Sequence, residues 1–274
     1  MVFQVPLLDR KRIAESGEPS CSGDKILCVE KVKKYFGGVR AVDGVSLSIP
    51  RRSIVGLIGP NGSGKTTLFN LIAGYYKPDS GEIWFDGKRI DGLPPYEIYK
   101  YGLVRTFQTP RMWTSLTVFE NVITSAKDQR GESPLAALVK KLWAGQEREI
   151  ARRAWNILGV VQLQHVAANM STDISGGQMK LTEIGRALNA EPKMLLLDEP
   201  AAGVNPTLAR NIFENIVKLR DELGITFFII EHRLEILFDY VDYVYVMHQG
   251  RIIAQGKPAE VAENPAVVDI YMGG

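Results

Sequence analysis

Short continuous apolar runs alternate with amphipathic stretches along most of the chain, and this pattern indicates an α/β fold. Three runs, residues 54–58, 194–197 and 225–230, are bounded by glycine, proline or charged residues. Such runs are typical of strands buried on both faces of a mostly parallel sheet. Residues 26–50 alternate between apolar and polar side chains and predict an antiparallel meander. Near the C-terminus, two short runs flank Gly250 and predict a hairpin.

The middle of the chain carries helical signals. Ser133 and Pro134 suit the N-cap and first turn of a helix, and apolar residues then recur at helical spacing as far as Trp143. A second helix is predicted around Ala154, and strand signals are absent from about residue 116 to 168. We therefore expect a helical lobe, residues 108–175, inserted into an α/β core formed by residues 26–107 and 176–274.

Composition and charge are those of an ordinary globular protein. Hydrophobic residues make up 45% and charged residues 23% of the 274 residues. The 33 basic and 31 acidic residues leave a net charge of +2, so we expect no nucleic-acid partner. No run approaches the roughly 18 consecutive apolar residues of a membrane helix, so we expect contact with a membrane only through a partner.

The N-terminal region and the cysteines suggest no chemistry. Residues 1–25 mix polar and charged residues and lack the pattern of a secretory signal, so we expect a poorly ordered extension. Cys21 and Cys28 have neither the spacing of a metal site nor that of a disulfide framework. We therefore expect two unpaired thiols in a reducing cytosol.

A phosphate-binding loop follows the first predicted parallel strand and precedes a helical run. Glycines let its backbone N–H groups turn inward, and the N-terminus of the next helix adds partial positive charge. Lys65 is expected to reach the β- and γ-phosphates of a nucleotide, and the Thr66 hydroxyl to coordinate Mg²⁺. The predicted nucleotide-binding residues of the loop are Gly59, Pro60, Asn61, Gly62, Ser63, Gly64, Lys65, Thr66 and Thr67.

Two carboxylates and a histidine follow the other two runs. Asp198 and Glu199 come after the second run, and open α/β sheets bind ligands at that edge. Successive strand residues diverge, so we expect Asp198 to hold Mg²⁺ through water and Glu199 to orient and deprotonate an attacking water. His232 follows the third run and could hydrogen-bond the γ-phosphate or that water. For His165 and His248 we expect a surface or packing role.

A second anion cradle, without a lysine, is predicted where a Ser-Gly-Gly sequence begins an amphipathic helix. The signature segment, Ile174-Ser175-Gly176-Gly177-Gln178, resembles the signature motif of ABC ATPases, with isoleucine in place of the usual leucine. The resemblance covers about residues 26–273. In that family the signature of one subunit caps the γ-phosphate held by the phosphate loop of the other. The resemblance therefore implies a head-to-tail dimer with two nucleotides between the chains.

The resemblance implies roles for further residues. Gln108 matches the glutamine of the Q-loop, which in the family contacts Mg²⁺ and the catalytic water and relays the nucleotide state to the membrane partner. Phe36 matches the aromatic residue that stacks on adenine, with Tyr35 as the alternative, and either could instead be a strand residue in the core. Asn205 stands where many members have aspartate. It could serve communication or cap the helix that Pro206 begins.

The chain is most similar to the ATP-binding subunits of branched-chain amino acid importers, in residues 104–110, 174–180, 198–206, 229–234 and 264–273. This resemblance implies the ABC ATPase fold and ATP hydrolysis that powers amino acid uptake, with ATP and Mg²⁺ as cofactors. The implied partners are membrane permeases, a second ATPase subunit that is a paralogue or a second copy, and indirectly an extracytoplasmic binding protein. The implied location is the cytoplasmic face of the membrane.

Two other functions fit part of the pattern. Soluble ABC ATPases of DNA repair or translation share the motifs, but they usually carry a long coiled-coil insertion or two cassettes in one chain, features not seen in this sequence. A non-hydrolysing nucleotide-binding scaffold would not need Glu199 and His232. Both functions are therefore disfavoured.

Overall fold

The described part of the chain, residues 21, 23–109 and 111–272 of a computed structural model, is built on two β-sheets. The strands are β1 (Lys25–Phe36), β2 (Val39–Pro50), β3 (Ile54–Ile58), β4 (Ser80–Phe85), β5 (Lys88–Arg89), β6 (Leu103–Arg105), β7 (Met194–Asp198), β8 (Thr226–Ile230), β9 (Tyr243–His248) and β10 (Arg251–Gly256). One sheet is antiparallel, in the order β2-β1-β4-β5. The other has the order β10-β9-β3-β8-β7-β6 and is parallel except where β10 pairs antiparallel with β9.

Three inner strands of the parallel sheet are buried on both faces, as the sequence predicts. All five residues of each of β3, β7 and β8 are buried. Alternate residues enter two hydrophobic clusters: Leu195 and Leu197 of β7 pack in one, Met194 and Leu196 in the other. The predicted meander and C-terminal hairpin are present as β1–β2 and β9–β10.

The carboxyl ends of β3, β8 and β7 lie side by side at one edge of the parallel sheet, because these neighbouring strands run in the same direction. β3 ends at Ile58, directly before the phosphate loop, and β7 ends at Asp198. β8 ends at Ile230, two residues before His232. The topology therefore brings three groups of predicted site residues to the same edge.

Helices flank the parallel sheet and form a lobe between β6 and β7. They are α1 (Lys65–Ile72), α2 (Pro95–Tyr101), α3 (Val118–Ile123), α4 (Pro134–Ala137), α5 (Lys140–Val160), α6 (Gly176–Asn189), α7 (Pro206–Leu223), α8 (Leu234–Leu237), α9 (Pro258–Ala262) and α10 (Pro265–Met272), with 3₁₀ turns at Arg130–Glu132 and Gln164–Val166. Helices α3 and α5 pack against each other and against α6. The exact bounds of core and lobe remain a prediction. None of the helices described here combines the length and hydropathy needed to cross a bilayer.

The helix predicted from Pro134 to Trp143 is interrupted, and that prediction was wrong in its length. Val139 has φ −119° and ψ 92°, an extended conformation that separates α4 from α5. Leu138 is 84% exposed and Leu142 is 53% exposed. The helical spacing of these leucines therefore does not reflect a buried face, and no core packing favours a continuous helix.

The prediction of two unpaired cysteines was also wrong, because Cys21 and Cys28 form a disulfide. Cys28 lies in β1, and the preceding chain brings the Cys21 Cα within 5.6 Å of its Cα. Both cysteines are buried beside Trp84 of β4. Of the predicted extension, residues 1–20 and 22 lie outside the described residues, but Cys21 belongs to the folded structure.

Candidate active site

The phosphate loop between β3 and α1 has no space for a side chain at two of its glycines. Gly59 has φ 149° and Gly64 has φ 104°, values that other residues rarely adopt. A β-carbon on Gly59 would overlap the backbone oxygen of Met247 in β9, and one on Gly64 would overlap the backbone oxygen of Ala41 in β2. The loop is therefore held closely between the two sheets, and glycine is required at both positions.

The Lys65 side chain is buried within the phosphate loop. Its Nζ donates to the carbonyl oxygens of Gly59 at 2.7 Å and Pro60 at 2.9 Å. Burial lowers the pKa of Lys65, while the carboxylates of Glu199 and Asp198 oppose that shift. The ammonium group thus lies inside the loop that the sequence assigns to phosphate binding.

Asp198, the last residue of β7, forms a buried ion pair with Arg105 at the end of the neighbouring strand β6. The Arg105 Nη2 to Asp198 Oδ2 distance is 3.1 Å, and Arg105 Nη1 donates to Asn70 Oδ1 at 2.6 Å. Burial raises the pKa of Asp198, while the charge of Arg105 lowers it. Arg105 therefore orients the carboxylate predicted to hold Mg²⁺, a role that sequence reasoning missed.

All three predicted catalytic residues meet at the carboxylate of Glu199. Gln108 Nε2 donates to Oε2 at 2.8 Å, and His232 Nε2 lies 3.0 Å from Oε1. Glu199 itself has φ 52°, in the left-handed region, and its backbone N–H donates to Ile230 O at 2.9 Å. The turn after β7 therefore places this carboxylate between the loop that follows β6 and the loop that follows β8.

These groups line a cavity of about 890 Å³, a size typical of small-molecule and cofactor sites. The lining comprises phosphate-loop residues 61–67 with Gln108, Glu199 and His232, and it is completed by the β1–β2 turn and the β9–β10 hairpin. His248, for which the sequence suggested a surface or packing role, is part of the lining. Its buried Nδ1 has no hydrogen-bond partner among the described residues.

The signature segment does not line this cavity. Ser175 is the N-cap of α6: its hydroxyl accepts from the Gln178 N–H at 3.3 Å, and its own N–H donates to Gln178 Oε1 at 2.9 Å. Ser175 and Gly176 are exposed, whereas Gly177 is buried, with the Leu208 side chain where its β-carbon would lie. The start of α6 is therefore open to a group outside the chain's own cavity.

Asn205 lies outside the cavity lining and caps α7. Its Oδ1 accepts from the Leu208 N–H at 2.9 Å. The capping interpretation is therefore confirmed, and a role in communication stays a prediction.

Tyr35 and Phe36 differ in their contacts. The Tyr35 hydroxyl donates to Asp43 Oδ1 at 2.6 Å. Phe36 is 42% exposed and meets Tyr76 edge-on at 5.3 Å between ring centroids. Neither aromatic ring is buried in the core, and neither lines the cavity. Adenine stacking therefore stays a prediction, with Phe36 the more exposed of the two.

Comparison with known proteins decides the family. The family described as ABC transporter matches residues 42–202, and the family described as branched-chain amino acid ATP-binding cassette transporter matches residues 251–274. The chain belongs to the ABC transporter family.

Relatives of this ABC transporter ATPase match it over nearly all of their length. A protein of Methanocaldococcus jannaschii, named probable branched-chain amino acid transport ATP-binding protein LivG, is 47% identical over 253 residues, covering 91% of this chain and 98% of the relative. A crystal structure of the ADP conformation of an ATP-binding cassette of an ABC transporter is 47% identical with a TM-score of 0.80, covering 91% of this chain and 99% of that chain. A dimeric, post-hydrolysis cassette bound to ADP and Pi is 26% identical with a TM-score of 0.71, covering 85% and 99%. The predicted ABC ATPase fold is therefore confirmed.

Glu231, which sequence reasoning missed, joins two loops beside the cavity of this ABC ATPase. Its buried carboxylate accepts from the backbone N–H groups of Ala201 at 2.9 Å, His232 at 2.8 Å and Arg233 at 3.3 Å. It therefore joins the loop after β7 to the loop that carries His232. Its place directly before His232 was the available sequence signal, but that position could not show the contact with Ala201.

Proposed function

We propose that this ABC transporter ATPase hydrolyses ATP to power an importer, and that the cargo is branched-chain amino acids. The observation that carries the hydrolysis is the convergence of Gln108 and His232 on the Glu199 carboxylate, beside the phosphate loop. The cargo follows from the names of the relatives and from the family that matches residues 251–274. That match also disfavours a role in DNA repair or translation.

The proposed reaction is in-line attack of water on the γ-phosphate, which releases inorganic phosphate as the bond to the ADP leaving group breaks. Glu199 accepts the proton of the water, and His232 and Gln108, which contact its two oxygens, hold the carboxylate in place. Lys65 exchanges the loop carbonyls for phosphate oxygens as its partners when nucleotide binds. Each role uses a group that already lies at the cavity.

Mg²⁺ fits the donor set at this edge of the sheet. The Asp198 carboxylate, the Thr66 hydroxyl and the Gln108 amide supply the hard oxygen ligands that Mg²⁺ prefers. When bound, the ion would neutralise charge on the phosphates. Asp198 is held ready for a water-mediated contact by Arg105.

A head-to-tail dimer explains why the signature segment lies outside its own chain's cavity. The exposed α6 N-terminus would then meet the nucleotide of a second ATPase subunit, as a paralogue or a second copy. The similar cassette that is dimeric supports an assembly of two subunits.

The proposed permease contact is a groove of about 460 Å³ between α2 and β6 on one side and α3 and α6 on the other. Tyr96 and Tyr75 line it and are 63% and 48% exposed. Exposed aromatic side chains are enriched at protein interfaces. Binding of a permease here would hold the chain at the cytoplasmic face of the membrane, with the binding protein on the other side.

Replacing Glu199 tests the proposed reaction. We expect Glu199→Gln to keep wild-type affinity for ATP, because the phosphate loop is unchanged, and to lower turnover about 10²- to 10⁴-fold through loss of the general base. Calorimetry gives the affinity and phosphate release gives the turnover, both in the complex with the permeases. Glu235→Gln, at an exposed glutamate of α8, is the matched control. Near wild-type hydrolysis by Glu199→Gln would contradict the proposed reaction.

The proposed cargo has a test of its own, which is leucine uptake into proteoliposomes that contain the assembled transporter.

A further inference from the structure

The signature helix α6 contacts the catalytic loop of its own chain. Lys180, five residues after the N-cap Ser175, donates from Nζ to the backbone oxygen of Glu199 at 2.9 Å. The same oxygen accepts the N–H of Ala202 at 3.1 Å, which closes the turn after β7. A side chain of α6 therefore supports the backbone of the residue proposed as general base.

The conformation of Glu199 explains why such support matters. Its φ of 52° lies in the left-handed region, which is unfavourable for a residue with a β-carbon. Strained residues of this kind persist when surrounding contacts hold them, and they cluster at active sites. The contacts to the Glu199 backbone are the Ile230 oxygen on one side and Ala202 and Lys180 on the other.

The Lys180 ammonium group lies in a partly buried site among three carboxylates. Lys180 is partly buried, and burial lowers its pKa, while the carboxylates of Glu231, Glu199 and Glu183 act in the opposite direction. Glu231 in turn accepts from the backbone of Ala201 and His232. The ammonium group thus lies beside the contacts that join the loop after β7 to the loop that carries His232.

We propose that Lys180 is a positioning residue, which holds the backbone of Glu199 in its left-handed turn so that the carboxylate stays between Gln108 and His232. The inference rests on the proposed role of Glu199 as general base. The proposal gives α6 two functions. Its N-terminus, at Ser175, serves a second subunit, and its second turn, at Lys180, supports the general base of its own chain. A shift of α6 would therefore move the Lys180 ammonium group and, with it, the backbone of Glu199.

Three variants test this role in the assembled transporter. Lys180→Met removes the donor at similar length, Lys180→Arg keeps a cationic donor, and Lys127→Met is the control. Lys127 is another partly buried lysine, and its ammonium lies 4.9 Å from the centroid of the Tyr99 ring, away from the cavity. The measurements are kcat and KM for ATP, ATP affinity by calorimetry, and thermal unfolding.

We expect Lys180→Met to lower kcat about 10- to 100-fold, the size of effect that a displacement of about 1 Å produces, with KM and ATP affinity within about twofold of wild type. Lys180→Arg should recover most of the lost kcat, and Lys127→Met should change neither constant. If Lys180 were merely structural, Lys180→Met would lower thermal stability, raise KM and lower kcat together, and Lys180→Arg would not reverse these changes.

Two outcomes overturn the proposal: an unchanged kcat in Lys180→Met, or equal losses in Lys180→Met and Lys180→Arg. Glu199→Gln separates this failure from failure of the proposed function. If Glu199→Gln abolishes turnover while Lys180→Met does not, the general base stands and only the role of Lys180 is lost. If Glu199→Gln retains turnover, the proposed function itself fails.

Discussion

Three buried carboxylates near the active site differ in what stabilises their charge. Asp198 is paired with Arg105, and Glu231 accepts three backbone N–H groups. Among the described residues, Glu183 accepts a single hydrogen bond, from the Phe107 N–H at 3.2 Å, and the nearest Arg186 nitrogen is 4.0 Å away. Burial accordingly raises the pKa of Glu183, and the Phe107 N–H and Arg186 only partly offset it. The ionised form of Glu183 therefore costs stability.

The pH dependence of stability follows from the direction of that shift. Between the ordinary pKa of 4.5 and the higher folded value, the folded protein keeps a proton that the unfolded chain releases. The contribution of Glu183 to the free energy of unfolding therefore falls as pH rises through this window and stays lower at neutral pH. We expect Glu183→Gln, which cannot ionise, to raise the Tm at about pH 7 and to lose this advantage towards about pH 4.

Thermal unfolding of the two proteins across that pH range measures the effect. Glu149→Gln, at an exposed glutamate of α5, is the control and should show no such trend. A Tm difference that is constant with pH, or that grows towards acid, would mean that Glu183 is not the group responsible.

At the level of elements, α7 begins with a cap that can be tested without touching the cavity. The Asn205 side chain accepts the Leu208 N–H, which otherwise lacks an intrahelical partner. We expect Asn205→Ala to lower the free energy of unfolding by about 1 kcal/mol, and Asn205→Ser, which keeps an acceptor, to lower it much less. Chemical denaturation measures both. Equal losses in the two variants would refute the capping role.

The same elements show what the sequence could predict. β3, β7 and β8 were predicted because a strand buried on both faces needs a continuous apolar run, and that requirement is local. The break at Val139 was not predicted, because it depends on whether Leu138 and Leu142 pack against a buried surface. Both leucines are exposed.

Of the site, the sequence predicted the residues with a strong local motif and missed those that act through a partner. Lys65 belongs to the phosphate-loop motif, Glu199 and His232 follow predicted strands, and all three line one cavity. Arg105 and Lys180 were missed because each is a charged residue whose partner lies far away in sequence. The Cys21–Cys28 bond was missed because it depends on how the chain before β1 folds back.

At the scale of the whole molecule, the position of the signature segment predicts which nucleotide it serves. If Ser175 faces the nucleotide of a second subunit, Ser175→Asp places a carboxylate against a triphosphate. One like-charge pair at about 4 Å costs about 4 kcal/mol at an effective dielectric constant of about 20. We therefore expect the variant to bind ATP normally as an isolated chain and to lose hydrolysis in the assembled transporter.

Ser175→Asn is the matched control, since asparagine and aspartate both cap helices well and differ in charge. Calorimetry on the isolated chain and phosphate release from the complex give the two readings. A large loss of ATP affinity in a folded, isolated Ser175→Asp chain would place Ser175 in its own chain's site.

The surroundings of the glycines have a genetic consequence. The backbone oxygen of Met247 faces Gly59, and that of Ala41 faces Gly64. Substitution of Met247 or Ala41 changes a side chain and leaves these backbone oxygens in place. A second substitution at Met247 or Ala41 should therefore not compensate for alanine at Gly59 or Gly64. Gly177 differs, because only the side chain of Leu208 occupies the space of its β-carbon. A smaller residue at 208 can make room for alanine at 177, so the phosphate loop and the signature segment should differ in which neighbouring residues change together with their glycines.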